Sequence, residues 1–297
     1  MVNPRTRLKA RKQFTLSVNS HKISLGRYTK IMGIINMTPD SFSRDGCIGP
    51  KKNALAYGLS KARRFIKEGA DILDIGGEST RPGARPISDQ EEAARVIPFI
   101  KKLKKNVAIP LSVDTYKTEV AHRALDAGAD VINNINGIHI NKKLVTLIKK
   151  YGAGIVLMHI KGTPRTMQKN VHYDNLLREI YQSLKHSIEK CLEWGINSDK
   201  IIIDPGIGFG KTVEHNLTIL NRLDYFKKLK FPLMVGTSRK SFVGKILNED
   251  VDNRLWGSLA TVCAAIYNGA HIVRVHDVQE TKHVVNICDS VLNESVN

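Results

Sequence analysis

The sequence predicts an α/β chain built as a single (β/α)8 TIM barrel, and three observations lead there. Eight short runs rich in Ile and Val each stop at a polar or glycine-rich cluster: Ile31 to Asn36, Ile72 to Glu78, Leu111 to Asp114, Val131 to Asn134, Ile155 to His159, Ile201 to Asp204, Leu233 to Lys240 and Ile272 to His276. A helix-length amphipathic or alanine-rich segment follows each run, the alternation expected of parallel strands joined by crossover helices. The chain of 297 residues accommodates eight such units, since barrels of this kind take about 250 residues. An open doubly wound sheet is the alternative, but it calls for a tight glycine fingerprint after the first strand. Asn36-Met37-Thr38-Pro39-Asp40 stands in that place.

At the N-terminus, residues 1 to 30 hold eight Lys or Arg and no acidic residue, nearly half of the net charge of +18. Residues 1–13 read as a basic, solvated tail. An organellar transit segment shares this Arg-rich, acid-poor character, whereas a nucleic-acid contact would want interleaved aromatics. Phe14 to Val18 and Lys22 to Leu25 alternate around Asn19-Ser20, the pattern of a β-hairpin, here closing the barrel floor. Residues 14–297 then form the barrel domain. Basic charge spread over its body would concentrate an anionic substrate.

Helices are expected over Lys52 to Glu68, Ser88 to Lys105, Lys117 to Ala127, Lys142 to Lys150, Tyr173 to Glu193, Glu214 to Phe226, Arg254 to Asn268 and Val278 to Leu292. Several end at glycine where the chain must leave the helix: Gly69, Gly128, Gly152, Gly195 and Gly269. The recurring starts Gly69-Ala70-Asp71, Gly128-Ala129-Asp130 and Gly269-Ala270-His271 mark one βα unit used repeatedly. No apolar stretch approaches the roughly 18 residues of a membrane span. Cys47, Cys191, Cys263 and Cys288 form no pairwise motif and read as reduced thiols of a cytoplasmic protein.

Side chains at the same end of eight strands share one pocket. Alternate residues of a strand face one way, so Arg274 and His276 project together into the mouth while Val273 and Val275 face the helices. That pairing suits phosphate or pyrophosphate. Asp114, Asn133 and Asp204 offer acceptors and donors to a heterocycle; a structural hydrogen-bond network is the competing use. Asp204 to Thr212 superficially resembles a nucleotide P-loop, but Pro205 has no amide to give a phosphate. Its glycines instead let backbone approach a flat ligand, with Phe209 as a packing face. Gly236 to Lys240 follows strand seven, where such barrels often hold oxyanions. Lys240 as a Schiff-base lysine would make the chain an aldolase, although a cation-rich loop better suits charge recognition. His122, His186 and His283 fall on expected helices and read as surface residues.

The runs Asn36 to Ser43, Asp74 to Gly83, Ser112 to Thr115, Asp204 to Gly210, Ser238 to Lys240 and Arg274 to His276, in that order, resemble dihydropteroate synthase over roughly residues 23 to 292. The resemblance implies a transferase of folate biosynthesis that condenses 6-hydroxymethyl-7,8-dihydropterin pyrophosphate with 4-aminobenzoate. It also implies a homodimer, Mg²⁺ as cofactor and sulfonamides as competitors of aminobenzoate. Asn36 would hold Mg²⁺ on the pyrophosphate, with Arg274 and His276 on its oxygens. Asp114, Asn133, Met158, Asp204, Phe209, Gly236, Lys240 and Arg274 would form the pterin site. Phe42, Thr80, Arg81, Pro82 and Ser238 would form the aminobenzoate pocket.

Catalytic roles fall by the same resemblance to Asp114, Lys240 and Asp45. Asp45 is expected to take the acidic loop position that family members place directly after Ser43, where Arg44 intervenes here. Strand four reads Asn133-Asn134 instead of the usual Asn-Asp, which would alter the electrostatics beneath the pterin. Because Phe42 and Pro82 stand without inserted residues, sulfonamide sensitivity is expected. A corrinoid-linked methyltransferase uses a similar barrel, but the Thr38 to Ser43 loop and the Ser238 to Lys240 cluster favour pyrophosphate displacement. A non-catalytic basic binding protein would not need the full set of polar strand ends.

Overall fold

A computed structural model describes residues 11–38, 54–80 and 83–295. Phe42, Asp45, Arg81, Pro82 and Cys47, and residues 1–10 of the expected tail, lie outside the described residues. Strands β1 (Phe14–Val18) and β2 (His21–Leu25) pair antiparallel as the expected hairpin. The barrel strands are β3 (Lys30–Asn36), β4 (Ile72–Gly76), β5 (Leu111–Asp114), β6 (Val131–Asn134), β7 (Gly154–Met158), β8 (Ile201–Asp204), β9 (Met234–Val235) and β10 (Ile272–Val275).

All the barrel ladders are parallel, and the order β8-β7-β6-β5-β4-β3-β10-β9 leaves one seam. A parallel bridge between Ile203 and Leu233, with the Ile203 N–H donating to Pro232 O at 3.0 Å, joins the two end strands and rules out an open sheet. The crossover helices are α1 (Ala54–Lys67), α2 (Asp89–Lys104), α3 (Thr118–Asp126), α4 (Lys142–Tyr151), α5 (Leu176–Glu193), α6 (Val213–Asn221), α7 (Ser241–Leu247), α8 (Leu255–Tyr267) and α9 (Val278–Asn293).

Local chemistry explains the helix ends. Ser88 caps α2 by accepting from Glu91 N; its first turn carries Asp89, Glu91 and Glu92, its last Lys101, Lys102 and Lys104, matching the helix dipole at both ends. Asn175, rather than Tyr173, starts α5 by accepting from Arg178 N. The five helix-ending glycines all have positive φ, where a side chain would be strained. Expected as one helix, Glu214 to Phe226 instead breaks after Asn221 into a 3-10 segment, Leu223–Leu229.

Strand seven is shorter than expected. The ladder stops at Val235, Arg239 takes a positive φ of 58°, and Ser241–Leu247 turns into the helix α7, which the sequence reading did not anticipate. Gly244 in that helix argues against it by propensity, yet a Cβ there would lie 2.2 Å from the Arg254 guanidinium, so packing decides.

Strand alternation sorts the core into two layers. Ile31, Ile35, Leu73, Ile75, Val113, Ile132, Ile155, Leu157, Ile203, Val273 and Val275 point outward onto the helices, where Phe65, Phe99 and Phe226 are wholly buried. Each such side chain contributes about 2–3 kcal/mol on burial. Inside, Met32, Ile72, Val131, Val156, Ile202, Met234 and Ile272 pack against Leu16, Val18 and Leu25 of the hairpin, which plugs the N-terminal end as expected. The barrel interior therefore opens at the opposite rim.

Arg11, counted with the solvated tail on sequence, is instead built into the body. Its guanidinium donates to Thr29 Oγ1 at 2.6 Å, Ala270 O at 2.8 Å and Asp289 Oδ1 at 2.5 Å. A buried aspartate on α9 needs a cation, and Arg11 supplies it. His271 lies close by: Leu233 N donates to its Nδ1 at 3.1 Å, and Nε2 sits 3.0 Å from Lys12 O. These contacts fix a neutral ring, and burial lowers its pKa to about 4.

Candidate active site

The residues just above the apolar floor are polar because alternation carries the inward face of each strand upward. Asp74 follows Ile72, Asn133 follows Val131, Asp204 follows Ile202, and Arg274 follows Ile272. They meet. Arg274 Nε donates to Asp74 Oδ2 at 2.6 Å, and its Nη2 donates to Asp114 Oδ2 at 2.7 Å. Asn133 Nδ2 donates to the same Asp74 oxygen at 3.0 Å. One guanidinium therefore serves two carboxylates, while Asp114 Oδ1 is buried with no hydrogen-bond partner among the described residues.

Beside this cluster, Asp204 Oδ1 accepts from Gly206 N at 2.7 Å, and Lys240 Nζ lies 4.0 Å from the centre of the Phe209 ring. Burial pushes the Asp114 carboxyl up to about 7 and Asp204 up to about 6, against the pull of nearby cations. The same burial, reinforced by Arg274, lowers Lys240 to about 8. Ile135, Met158, Met167 and Phe209 form a small apolar cluster that gives the base of the cavity flat walls.

The cavity holds about 500 Å³. It unites strand ends far apart in sequence: Asn36, Thr80, Asp114, Asn133, Met158, Asp204, Phe209, Gly236, Ser238, Lys240, Arg274 and His276 all line it. These are all the expected site residues that fall within the described chain. Near the lip, Ser238 Oγ accepts from His276 N at 3.2 Å and lies 3.1 Å from His276 Nδ1. Burial and the surrounding cations, Arg239 and Arg274 first, keep this imidazole well below its usual range. When the Ser238 hydroxyl donates to Nδ1, the neutral ring carries its proton on Nε2 and keeps a donor there.

Asn134 corrects one sequence expectation. It alternates with Asn133 to the other side of β6, where its Oδ1 accepts from Asn136 N at 2.9 Å and shapes the turn. Its missing charge thus acts on a loop, not beneath the ligand. Arg239 likewise turns from the cavity base to Asp277, with Nε at 3.1 Å and Nη2 at 2.5 Å.

Two functional-looking residues escaped the sequence reading. Asp74 sits inside a quoted motif, and extending the alternation from Ile72 would have placed it inward. Lys211, the lysine of the false P-loop, is buried: its Nζ lies 2.9 Å from Phe209 O and 3.0 Å from His159 Nδ1, tying the ends of β7 and β8 behind the slot. Burial brings its pKa down to about 7. It faces no ligand space, which removes the P-loop likeness on structural grounds as well.

Fold and site together define a (β/α)8 barrel enzyme with one polar-based cavity at the C-terminal rim of its strands. A family model described as pterin binding enzyme matches residues 32–276. The dihydropteroate synthase of Synechocystis sp. is 44% identical over 277 residues, 93% of this chain and 94% of that protein. The crystal structure of Yersinia pestis dihydropteroate synthase in a sulfonamide drug complex superposes with a TM-score of 0.88 at 39% identity, covering 95% of this chain and 100% of the other. That of the Burkholderia cenocepacia dihydropteroate synthase complexed with 7,8-dihydropteroate gives 0.84 at 35% identity, covering 95% and 97%. The chain belongs to the dihydropteroate synthase family of pterin binding enzymes.

Proposed function

We propose that the cavity condenses 6-hydroxymethyl-7,8-dihydropterin pyrophosphate with 4-aminobenzoate, forming 7,8-dihydropteroate and releasing pyrophosphate. The observation that carries this is the meeting of Asp114, Asn133, Asp204 and Lys240 at the base of one cavity whose lip bears Asn36 and His276, with Arg274 between. The pterin lies between Met158 and Phe209, its ring nitrogens and amino group on Asp204, Asn133 and the free Asp114 oxygen. Its diphosphate points to the lip. There Arg274 and the Nε2–H of His276 bind leaving-group oxygens.

When the bond from the pterin methylene to diphosphate oxygen breaks, positive charge grows on the methylene and ring. The Asp114 carboxylate stabilises it, and buried fixed charges do this without reorganising. Aminobenzoate, positioned by Thr80 and Ser238 with Phe42, Arg81 and Pro82 by resemblance, adds its amine to the methylene and then sheds a proton. An arylamine is a weak nucleophile, so alignment matters more than a strong base.

Asn36 fits a role in holding Mg²⁺: its amide oxygen, the atom a Cβ at Gly76 would meet at 3.2 Å, is a hard donor at the cavity wall, and Mg²⁺ commonly takes one or two protein oxygens plus substrate phosphate. Bound there, the ion would neutralise charge on the diphosphate. Sulfonamides would occupy the aminobenzoate side and compete.

A homodimer through the α6–α9 face is part of the same proposal. Leu217, Ile246, Leu247, Trp256, Ile287 and Val291 are exposed there, Trp256 by 77%, an apolar face that a monomer would not favour. No helix among the described residues is long and apolar enough to cross a membrane, and the proposed site of action is the cytoplasm. Incubation with both substrates and Mg²⁺ tests the function: pyrophosphate and dihydropteroate should appear one for one. Absence of both would end the proposal.

A further inference from the structure

Beside the cavity lies a buried ionic cluster that the reaction does not use. Lys117 Nζ donates to Ile87 O at 2.6 Å and Glu92 Oε2 at 2.8 Å, and pairs with Glu78 Oε2 at 3.0 Å. The Glu78 side chain is 7% exposed, that of Lys117 10% and that of Glu92 1%, so these charges have little water to fall back on. Glu78 also accepts from Ile87 N through Oε1 at 3.1 Å.

Those contacts tie three segments together at one point. Glu78 leaves β4 and lines the cavity, with Ser79 and Thr80 next to it. Ile87 is where the same loop returns to α2, and Glu92 lies in the first turn of that helix. Lys117 stands three residues beyond Asp114, and its neighbour Tyr116 packs on the Met158 and Phe209 cluster. Arg95 Nη1 adds a bond to Gly77 O at 2.8 Å. The loop is thus tied at its base, both ends to one ammonium, and that ammonium is mounted on the wall of the heterocycle slot.

Resting on the proposed function, we propose that Lys117, gripped by Glu78 and Glu92, is a positioning residue that sets the 78–80 segment against the slot and thereby positions Thr80 for aminobenzoate. A closed loop base removes most of the conformational freedom that aminobenzoate binding would otherwise have to order. Lys117 touches neither substrate, so its effect falls on one of them selectively. A purely structural cluster would not discriminate between the two.

Steady-state kinetics of full-length Lys117→Met and Glu78→Gln, with each substrate varied at saturation of the other, tests this. The KM for 4-aminobenzoate should rise about tenfold or more, while the KM for pterin pyrophosphate moves by less than about twofold and kcat by less than about threefold. Equal rises in both KM values, or an unchanged aminobenzoate KM in both variants, would overturn the inference. If Lys117→Met does not fold, Glu78→Gln decides alone, since it keeps the side-chain shape and an oxygen for Ile87 N; loss of fold in both assigns the cluster to stability and overturns it too. A wild-type protein that releases no pyrophosphate refutes the proposed function instead.

Discussion

Replacing Asp114 by Asn removes one charge while keeping the side chain's shape and an oxygen for Arg274 Nη2, which lies 2.7 Å away. A carboxylate about 4–5 Å from a nascent cation, at an effective dielectric of about 20, interacts by ~3–4 kcal/mol. Because Arg274 already offsets part of that charge, roughly half remains: ~2 kcal/mol, or about 30-fold in kcat.

Stability should move the other way. Burial raises the Asp114 carboxyl from 3.8 to about 7, so its contribution to stability is complete below about pH 4 and is lost as pH climbs through 7. At pH 8 that loss is at most ~4 kcal/mol, and Asn escapes it. Pyrophosphate-release kinetics, calorimetric titration with the pterin substrate alone and thermal unfolding at pH 5 and 8 measure all three effects. The expected result is a slower enzyme with nearly unchanged pterin affinity and a melting temperature raised at pH 8 relative to wild type. Equal losses of kcat and pterin affinity, or an unchanged rate, would refute the electrostatic role.

Three further outcomes follow from the same geometry. Activity should rise with pH as Asp204 and Asp114 ionise, near 6 and 7, and decline above about 8 as Lys240 loses its proton; Lys240→Arg, if active, should extend the alkaline limb, and an unmoved limb would clear Lys240 of that role. Arg274→Ala should abolish turnover and also cost about 3 kcal/mol, since it strands two buried carboxylates. A denaturation midpoint equal to wild type would mean that the two carboxylates do not depend on Arg274 for stability. Trp256→Glu should turn a dimer into a monomer in sedimentation, and an unchanged mass would place the interface elsewhere.

Which side chains converge was legible wherever a strand obeyed simple alternation. Val131 to Asn134 and Ile201 to Asp204 stop at the residues where the ladders stop, so Asn133 and Asp204 could be placed inward from the sequence. Hairpin and helix ends were legible for a similar reason, because Asn19 and the five glycines carry local backbone signals. Tertiary demands hid the rest. The end of β9 and the start of α7 depend on Arg239 reaching Asp277 and Arg254 passing Gly244, contacts that no local pattern encodes. Asp74 and Lys211 look like strand-end and glycine-loop residues until their partners, Arg274 from β10 and His159 from beyond β7, are known. Arg11 went unnoticed because its aspartate is 278 residues away.

A crystal of the protein soaked with 6-hydroxymethyl-7,8-dihydropterin pyrophosphate offers the most direct test. The fused ring should lie against Asp204 and Asn133, between Met158 and Phe209, with the diphosphate oxygens at Asn36, Arg274 and His276. A pterin bound at the hairpin end of the barrel, or a diphosphate directed away from the Arg274–His276 lip, would contradict the account.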